Sequence, residues 1–427
     1  MTAPRFARRP PTSLLKSLGP GLIAGAADDD PSGIATYSQA GAQFGAGLLW
    51  TTVLTTPLMI GIQLVSARIG WATGRGIAAN LRMHYPRVLL VFIVSLLVVA
   101  NTVNLGADLA AMASAAQLLA HGGSYHVYLA AFAIMSVALQ IWLPFPRYAP
   151  LLKLLTLSLL SYIGVLFVAR IDWGQVALAA IIPHVESGRD YLMMIVAVLG
   201  TTISPYLFFW QASQEVEEHR VRGDSDAQDG DAASARAHLR RIKLDTNLGM
   251  VFSNVIAFVI MLTASITLNQ HGITDIQTTA QAAEALRPIA GDAAYVLFSI
   301  GIIGTGLLAV PVLAGAAAYA VAEAFGWPTG LNESPRTARG FYAVLVAAFL
   351  IGFGLDYNDI DPVKELLWAA VFNGVVAVPI MIMMMLMVQR ADIMGRFVAR
   401  ARLKRLGWLA TGTMALASLA MFYGMAV

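Results

Sequence analysis

The chain has 427 residues, of which 58% are hydrophobic and 12% are charged, and its mean hydropathy is +0.68. A soluble globular protein carries about 25% charged residues, so this composition excludes an ordinary soluble domain and indicates an all-α integral membrane protein. The chain has no cysteine, which excludes disulfides and thiolate metal sites, and its net charge of +3 gives no reason to expect a nucleic-acid partner.

Residues 1–17 form a basic tail that no small-residue cleavage site follows, so we interpret it as a cytosolic tail and not as a signal peptide. Apolar runs follow, most of them close to the roughly 20 residues that a helix needs to cross a bilayer. The predicted spans are residues 18–40, 46–67, 88–118, 126–145, 151–170, 191–214, 246–268, 290–322, 340–355, 363–388 and 406–425. They predict a transporter core over residues 18–388, followed over residues 389–427 by a cytosolic linker and an eleventh helix.

The basic residues indicate which connecting segments face the cytosol. If the N-terminus is cytosolic, most Arg and Lys residues lie on the cytosolic side, and only Arg170, Arg189, Arg287 and Lys364 lie in outer segments. An omitted or invented span would destroy this asymmetry. We therefore predict a multi-pass protein of the inner (plasma) membrane, with a cytosolic N-terminus and a C-terminus outside.

The first span contains three adjacent carboxylates, Asp28, Asp29 and Asp30, at about mid-membrane depth. Membrane helices avoid ionised carboxylates, and the Pro31 and Gly33 that follow favour an interruption of the helix. Carbonyl groups freed by such a break can bind a cation where they face protein or a water-filled cavity. A single binding role for all three Asp residues is not expected, so Asp28 and Asp29 are taken as accessory groups.

The sixth span also places polar residues next to a proline, since Thr201, Thr202 and Ser204 directly precede Pro205. Spans one and six are five apart, and an odd number makes the second half enter the membrane from the opposite side. This predicts an inverted repeat of residues 18–170 against 191–388, with a site between the two broken helices. The alternative is two ordinary proline kinks with no site, which does not explain the three carboxylates.

The segment 215–245 is the one long polar stretch, acidic first and basic later, with no apolar period. We predict a cytosolic loop that is partly disordered at its centre, residues 224–234. The alternative is a metal-sensing loop, but a run of charges is usually solvated surface.

The first span resembles the Nramp family of divalent-metal transporters. Its Asp30-Pro31-Ser32-Gly33, Ala35-Thr36 and Gln39–Gly45 stretches match the family signature, and Ser66–Gly70 and Ala72–Gly74 are also similar. The match is specific over residues 19–80 and elsewhere depends on the number of spans and the position of Pro205. The resemblance implies a LeuT-like fold with 5+5 inverted repeats, broken helices 1 and 6, and eleven transmembrane helices.

The resemblance also implies a ligand set in which Asp30 is retained. The family's Asn ligand is replaced by Gly33, its Met ligand by Ser204 and its His by Tyr206, and Thr201 would supply the backbone carbonyl. Oxygen ligands favour magnesium, calcium or manganese over softer metals, and magnesium keeps several of its waters. The site is thus similar to that of the Nramp-related magnesium transporters.

Further polar residues of the spans are candidates for accessory roles. Asn101, Asn104 and Asp108 are spaced i, i+3 and i+7, so they share one helix face as a possible proton or ion path. The resemblance implies proton transit for Asp108, whose alternative is a structural carboxylate, but the family's companion acidic position is Ala111. The candidates for a cytosolic exit path or an accessory ligand are Ser204, Gln211, Glu215 and Asn373.

We therefore expect a secondary transporter that moves a hard divalent metal ion, Mg²⁺ or Mn²⁺, by alternating access, with weak or no proton coupling. The metal is the substrate, and the protein is expected to lie in the lipid bilayer. We expect no resident cofactor and no obligate protein partner. One alternative is a carrier of a small organic solute such as an amino acid on the same fold. Others are a proton-coupled importer of Mn²⁺ or Fe²⁺, and a channel or ion sensor. No pattern of catalytic residues predicts an enzyme.

Overall fold

The computed structural model describes residues 19–143, 157–186, 188–222, 232–331, 333–355 and 361–426. Helices dominate these residues, and we number the longer ones in chain order. They are α1 (Pro20–Asp28), α2 (Pro31–Phe44), α3 (Leu49–Thr73), α4 (Ile77–His84), α5 (Arg87–Leu119), α6 (Tyr125–Trp142), α7 (Leu160–Val168), α8 (Trp173–Ile181), α9 (Arg189–Thr202), α10 (Pro205–Arg222), α11 (Ala232–Thr267), α12 (Ala294–Phe325), α13 (Arg339–Leu355), α14 (Pro362–Gln389) and α15 (Ala401–Ala426).

The predicted spans are found in the described part of the chain. The predicted tail, residues 1–17, and residues 144–145 and 151–156 of spans four and five lie outside it. Eight helical segments are long and apolar enough to cross a membrane, and Leu157–Val168 and Arg339–Leu355 are shorter apolar helices. The first long segment, Pro31–Thr73, contains both the second half of span one and the whole of span two. Splitting this segment into two spans gives nine, and the two shorter apolar helices bring the number in the described residues to the predicted eleven.

The prediction of a loop over residues 215–245 is wrong for most of its length. Helix α10 continues to Arg222, and α11 begins at Ala232 and runs into span seven. These helical ends pair with each other by charge, which explains why no apolar period marks them in the sequence. Arg241 of α11 lies 3.2 Å from Glu215 and 2.8 Å from Glu218 of α10. Of the predicted disordered centre, residues 224–231 lie outside the described residues.

The first span is interrupted at Asp29 and Asp30, one residue before the interruption predicted at Asp30–Gly33. Helix α1 ends at Asp28, and Pro31 begins α2 because its fixed φ suits the first helical turn, where its missing N–H is not needed. Asp30 is the N-cap of α2, and its Oδ1 accepts a hydrogen bond of 2.7 Å from the amide of Gly33. The Asp-Pro pair therefore both ends one helix and begins the next.

The sixth span is interrupted at the predicted place. Helix α9 ends at Thr202 and α10 begins at Pro205, so Ile203 and Ser204 form the break. Both interruptions are buried in protein, as irregular backbone at membrane depth must be.

Glycine contacts bring the two broken spans close to their neighbours. A Cβ atom added to Gly25 of α1 would lie 2.3 Å from the backbone of Gly249 in α11. A Cβ atom on Gly200 of α9 would lie 2.0 Å from the carbonyl oxygen of Ala370 and 2.5 Å from the amide of Gly374, both in α14. Small residues permit such close backbone packing in membranes, and here they fix the positions of the helices that carry the breaks.

Candidate metal-binding site

Asp30 is fully buried and joins three helices through hydrogen bonds. Its Oδ1 accepts from the Gly33 amide and from Ser32 Oγ, each at 2.7 Å, within α2. Its Oδ2 accepts from Asn104 Nδ2 of α5 at 3.2 Å and from Tyr206 OH of α10 at 3.3 Å. One carboxylate oxygen thus holds the helix start together, while the other accepts from side chains of two other helices.

The predicted polar face of α5 divides into two parts. Asn104 Nδ2 also lies 3.3 Å from Asp108 Oδ2, and Asn104 Oδ1 accepts from Asn373 Nδ2 at 2.9 Å. Asn101 instead donates to the carbonyl of Leu313 in α12 at 3.0 Å. Asn104, Asp108 and Asn373 therefore adjoin Asp30, and the Asn101 amide nitrogen bonds to a different neighbour.

The break in the sixth span presents oxygen atoms to Gly33. Ser204 Oγ donates to the carbonyl groups of Gly200 and Thr201 at 2.9 and 2.8 Å. Thr201 Oγ1 is buried and has no hydrogen-bond partner among the described residues. A Cβ atom on Gly33 would lie 3.1 Å from Thr201 Oγ1 and 3.2 Å from the carbonyl oxygen of Asp28. The missing side chain of Gly33 is what lets α2 and α9 approach here.

Asp28 and Asp29 are buried beside α11 and are held differently from Asp30. Ser253 Oγ lies 2.5 Å from Asp28 Oδ2 and 3.2 Å from Asp29 Oδ1. No three His, Asp or Glu side chains of the described residues are placed to hold one metal ion. The three aspartates therefore have different partners: Ser253 of α11 holds Asp28 and Asp29, while Asp30 bonds to α2, α5 and α10.

The residues of the predicted exit path are buried and bonded to neighbouring helices. Gln211 Nε2 donates to Thr246 Oγ1 at 2.9 Å, and Gln211 Oε1 accepts from Gln63 Nε2 at 2.5 Å. Glu215 is buried against Arg241. In this conformation the face that begins at Ser204 meets packed side chains on its way along α10.

Several residues that position the site were not predicted. Asp245 of α11 caps α1, since its carboxylate accepts from the amides of Gly19, Gly21 and Leu22 at 2.9, 2.8 and 3.2 Å. Ser32 and Ser253 bind the three aspartates. The sequence signal for Asp245 is a carboxylate directly before the apolar run of span seven. A serine in a membrane helix gives no comparable signal of its partner.

Comparison with known proteins gives three findings. The family model described as "Natural resistance-associated macrophage protein-like", Nramp, matches residues 21–424. The chain is 26% identical over 405 residues to a Klebsiella pneumoniae protein named divalent metal cation transporter MntH, covering 92% of this chain and 90% of that protein. It also superposes on the manganese transporter of Eremococcus coleocola with a TM-score of 0.76 at 16% identity, covering 96% and 88% of the two chains.

A more distant structural likeness concerns the fold alone. A protein named MhsT, solved in complex with L-phenylalanine, superposes with a TM-score of 0.60 at 12% identity and covers 98% of this chain. The likenesses agree with the two helix breaks and the eleven spans, so the fold is the LeuT-like arrangement of 5+5 inverted repeats that the sequence predicts.

Proposed function

The chain belongs to the Nramp family, and on that basis we propose that it is a secondary transporter that moves a hard divalent metal ion, Mg²⁺ or Mn²⁺, across the membrane. The family and the name of the Klebsiella relative support a divalent metal as substrate. The choice of a hard ion is supported by the donor set at the two helix breaks.

Two features carry this proposal: the buried carboxylate of Asp30 at the start of α2, and the unpartnered hydroxyl oxygen of Thr201 in α9, which faces Gly33 of the same helix start. Asp30 supplies the charge that a divalent ion needs in a medium of low dielectric constant. Thr201 Oγ1, its carbonyl oxygen and Ser204 Oγ supply neutral oxygens, and no sulfur atom stands among these candidate ligands. Such a set suits magnesium and manganese.

The hydrogen bonds of Asp30 indicate which of its oxygens binds the ion. Oδ1 is committed to the start of α2, and its release would leave the Gly33 amide without an acceptor. Oδ2 accepts longer bonds from Asn104 and Tyr206, which both have a second acceptor: Asp108 Oδ2 for Asn104, and the carbonyl of Ala27 for Tyr206. We infer that the ion replaces these two donors at Oδ2.

Gly33 and Ser204 leave the rest of the coordination sphere to water. Magnesium demands near-octahedral geometry and dehydrates reluctantly, so a site with few protein ligands suits a partly hydrated ion. The family's amide and thioether ligands are absent here, and we propose that water completes the coordination once the ion binds.

The test is ion flux into proteoliposomes for Asp30→Asn against Asp29→Asn. Both changes remove one carboxylate from adjacent positions, and Asn remains a good N-cap, so the start of α2 should form in both variants. We expect Asp30→Asn to lower Mg²⁺ and Mn²⁺ uptake about 100-fold or more, because it removes a direct ligand. Asp29→Asn should keep most of its flux. Comparable losses in the two variants would contradict the assigned ligand.

The second candidate is a carrier of a small organic solute, which the likeness in fold to MhsT, solved in complex with L-phenylalanine, favours. Isothermal titration of purified protein with Mg²⁺, Mn²⁺ and a panel of amino acids separates the two. Heat from an amino acid that Asp30→Asn abolishes, with none from metal ions, would replace the metal proposal.

A further inference from the structure

A polar cavity of about 210 Å³ lies on the side that the basic residues predict to be cytosolic. It lies between the segment after α3, helix α4, the second half of α10 and the end of α12. None of its lining residues belongs to the candidate metal site. Three guanidinium groups line it, those of Arg75, Arg82 and Arg220.

Two carboxylates also line the cavity, and both accept hydrogen bonds from donors in the cavity wall. Glu217 accepts from Tyr319 OH and, at 2.9 Å, from the Leu331 amide. Glu323 accepts from Ser213 Oγ at 2.9 Å and from the Ala79 amide at 3.2 Å, so it also fills the N-terminal end of α4. With three arginines against two glutamates, the cavity keeps an excess of positive charge.

Within the described part of the chain, no ion pair includes Arg75, Arg82 or Arg220, although Arg220 lies near enough to Glu323 to interact with its charge. Among the described residues, the pairs found here join Arg241 to Glu215 and Glu218. Arg82 lies across the C-terminal cap of α12, because a Cβ atom on Gly326 would be 2.0 Å from Arg82 Nη1. Like charges gathered at one cavity repel each other, and an anion between them would remove this cost.

The surroundings of the cavity indicate its depth in the membrane. Phe325 and Trp327 stack beside it with ring centroids 4.8 Å apart, and their exposed fractions are 63% and 41%. Exposed aromatic rings next to basic residues are typical of the membrane–water interface, at the level of the lipid headgroups.

Three guanidinium groups would repel a departing metal ion, so this cavity does not suit the exit of the substrate.

We propose that this cavity binds a phosphate group, supplied by an anionic phospholipid of the adjacent leaflet. Guanidinium groups bind phosphate with two parallel hydrogen bonds, and basic pockets between membrane helices hold anionic headgroups in this way. The acyl chains would lie along the apolar surface beside the stacked aromatic pair.

The test is native mass spectrometry of the full chain, titrated with phosphatidylglycerol, phosphatidylcholine or inorganic phosphate. The pocket variant carries Arg75→Gln, Arg82→Gln and Arg220→Gln. The control carries Arg236→Gln, Arg240→Gln and Arg402→Gln, which removes the same charge from exposed positions outside the cavity. We expect phosphatidylglycerol to bind about tenfold or more tightly than phosphatidylcholine, and only the pocket variant to lose that preference.

A third variant separates binding from damage to the fold. Glu217→Gln keeps an acceptor for Tyr319 and Leu331 but removes a negative charge from the wall, so phosphatidylglycerol should bind several-fold more tightly. Binding of inorganic phosphate that depends on the same arginines would support the phosphate site and reassign its source to the cytosol. Equal losses in the pocket and control variants, or no preference for phosphatidylglycerol, would overturn the proposal.

Discussion

In the proposed site, single residues at the two helix breaks would set the preference for one ion over another. Gly33 offers no side-chain ligand, Ser204 offers a hydroxyl group and Asp30 a charge, so selectivity would depend on a few atoms next to Pro31 and Pro205. Ser204 already satisfies carbonyl groups of its own helix, and its replacement therefore changes both a ligand and the local backbone.

Ser204→Met should shift the preference of the site toward softer metals. A thioether adds a soft ligand beside Asp30, and we expect Cd²⁺ to inhibit Mn²⁺ uptake about tenfold more strongly than in the parent. Ser204→Leu is the matched control, because Leu and Met fill similar volumes and only Met carries sulfur. A parent that strongly prefers Cd²⁺ over Mg²⁺ would contradict the assignment of a hard site.

At the scale of the element, α1 is the short half-helix held at both ends by partners far away in sequence. Asp245 binds its first amide groups, Gly249 packs on Gly25, and Ser253 binds Asp28 at its end, so three successive turns of α11 contact it. The backbone amides at the start of a helix carry a partial positive charge, which the Asp245 carboxylate stabilises. Movement of α1 away from α11 would break this cap first.

Asp245→Ala should loosen the start of α1. The loss of a carboxylate cap costs about 1 to 2 kcal/mol, which corresponds to roughly tenfold more of the loosened state. The chain has no cysteine, so Leu22→Cys gives a single thiol whose labelling by an impermeant maleimide reports this movement. We expect labelling about tenfold faster with Asp245→Ala.

The control for this measurement is Asp361→Ala, which removes the cap of α14, where Asp361 Oδ1 accepts from the Val363 amide at 3.0 Å. That change should leave the labelling of Leu22→Cys unaltered. Equal acceleration in both variants would indicate a general loss of stability and not a local release of α1.

At the scale of the whole molecule, sequence predicted the parts that depend on local chemistry. Apolar runs of membrane length gave the eleven spans, and prolines next to polar residues gave the two breaks, because both signals lie within a few residues of the feature. The partners of the site were not predictable in this way. Ser253 bonds Asp28 across 225 positions, and the helical ends of α10 and α11 are paired by charges with no periodic pattern.

Proton coupling is a property of the whole transport cycle, and we expect it to be weak or absent. Proton movement through a membrane protein needs a chain of titratable groups or waters. Asn101 cannot titrate near neutral pH and bonds to Leu313, and Ala111 carries no polar group. Proteoliposomes with a metal-sensitive dye and a pH-sensitive dye should show metal entry without acidification of the lumen. Metal-dependent proton influx that is lost in Asp108→Asn would show that the remaining carboxylates suffice.

The contact between Gly25 and Gly249 has a consequence for how this sequence can change over evolutionary time. Where two side chains clash, a larger residue on one helix can be rescued by a smaller one on the other, but here both partners are already the smallest residue. No second-site suppressor is available at the contact itself. In a saturation mutagenesis screen selected for metal uptake, both positions should tolerate glycine alone, and revertants of Gly25→Ala should be true revertants.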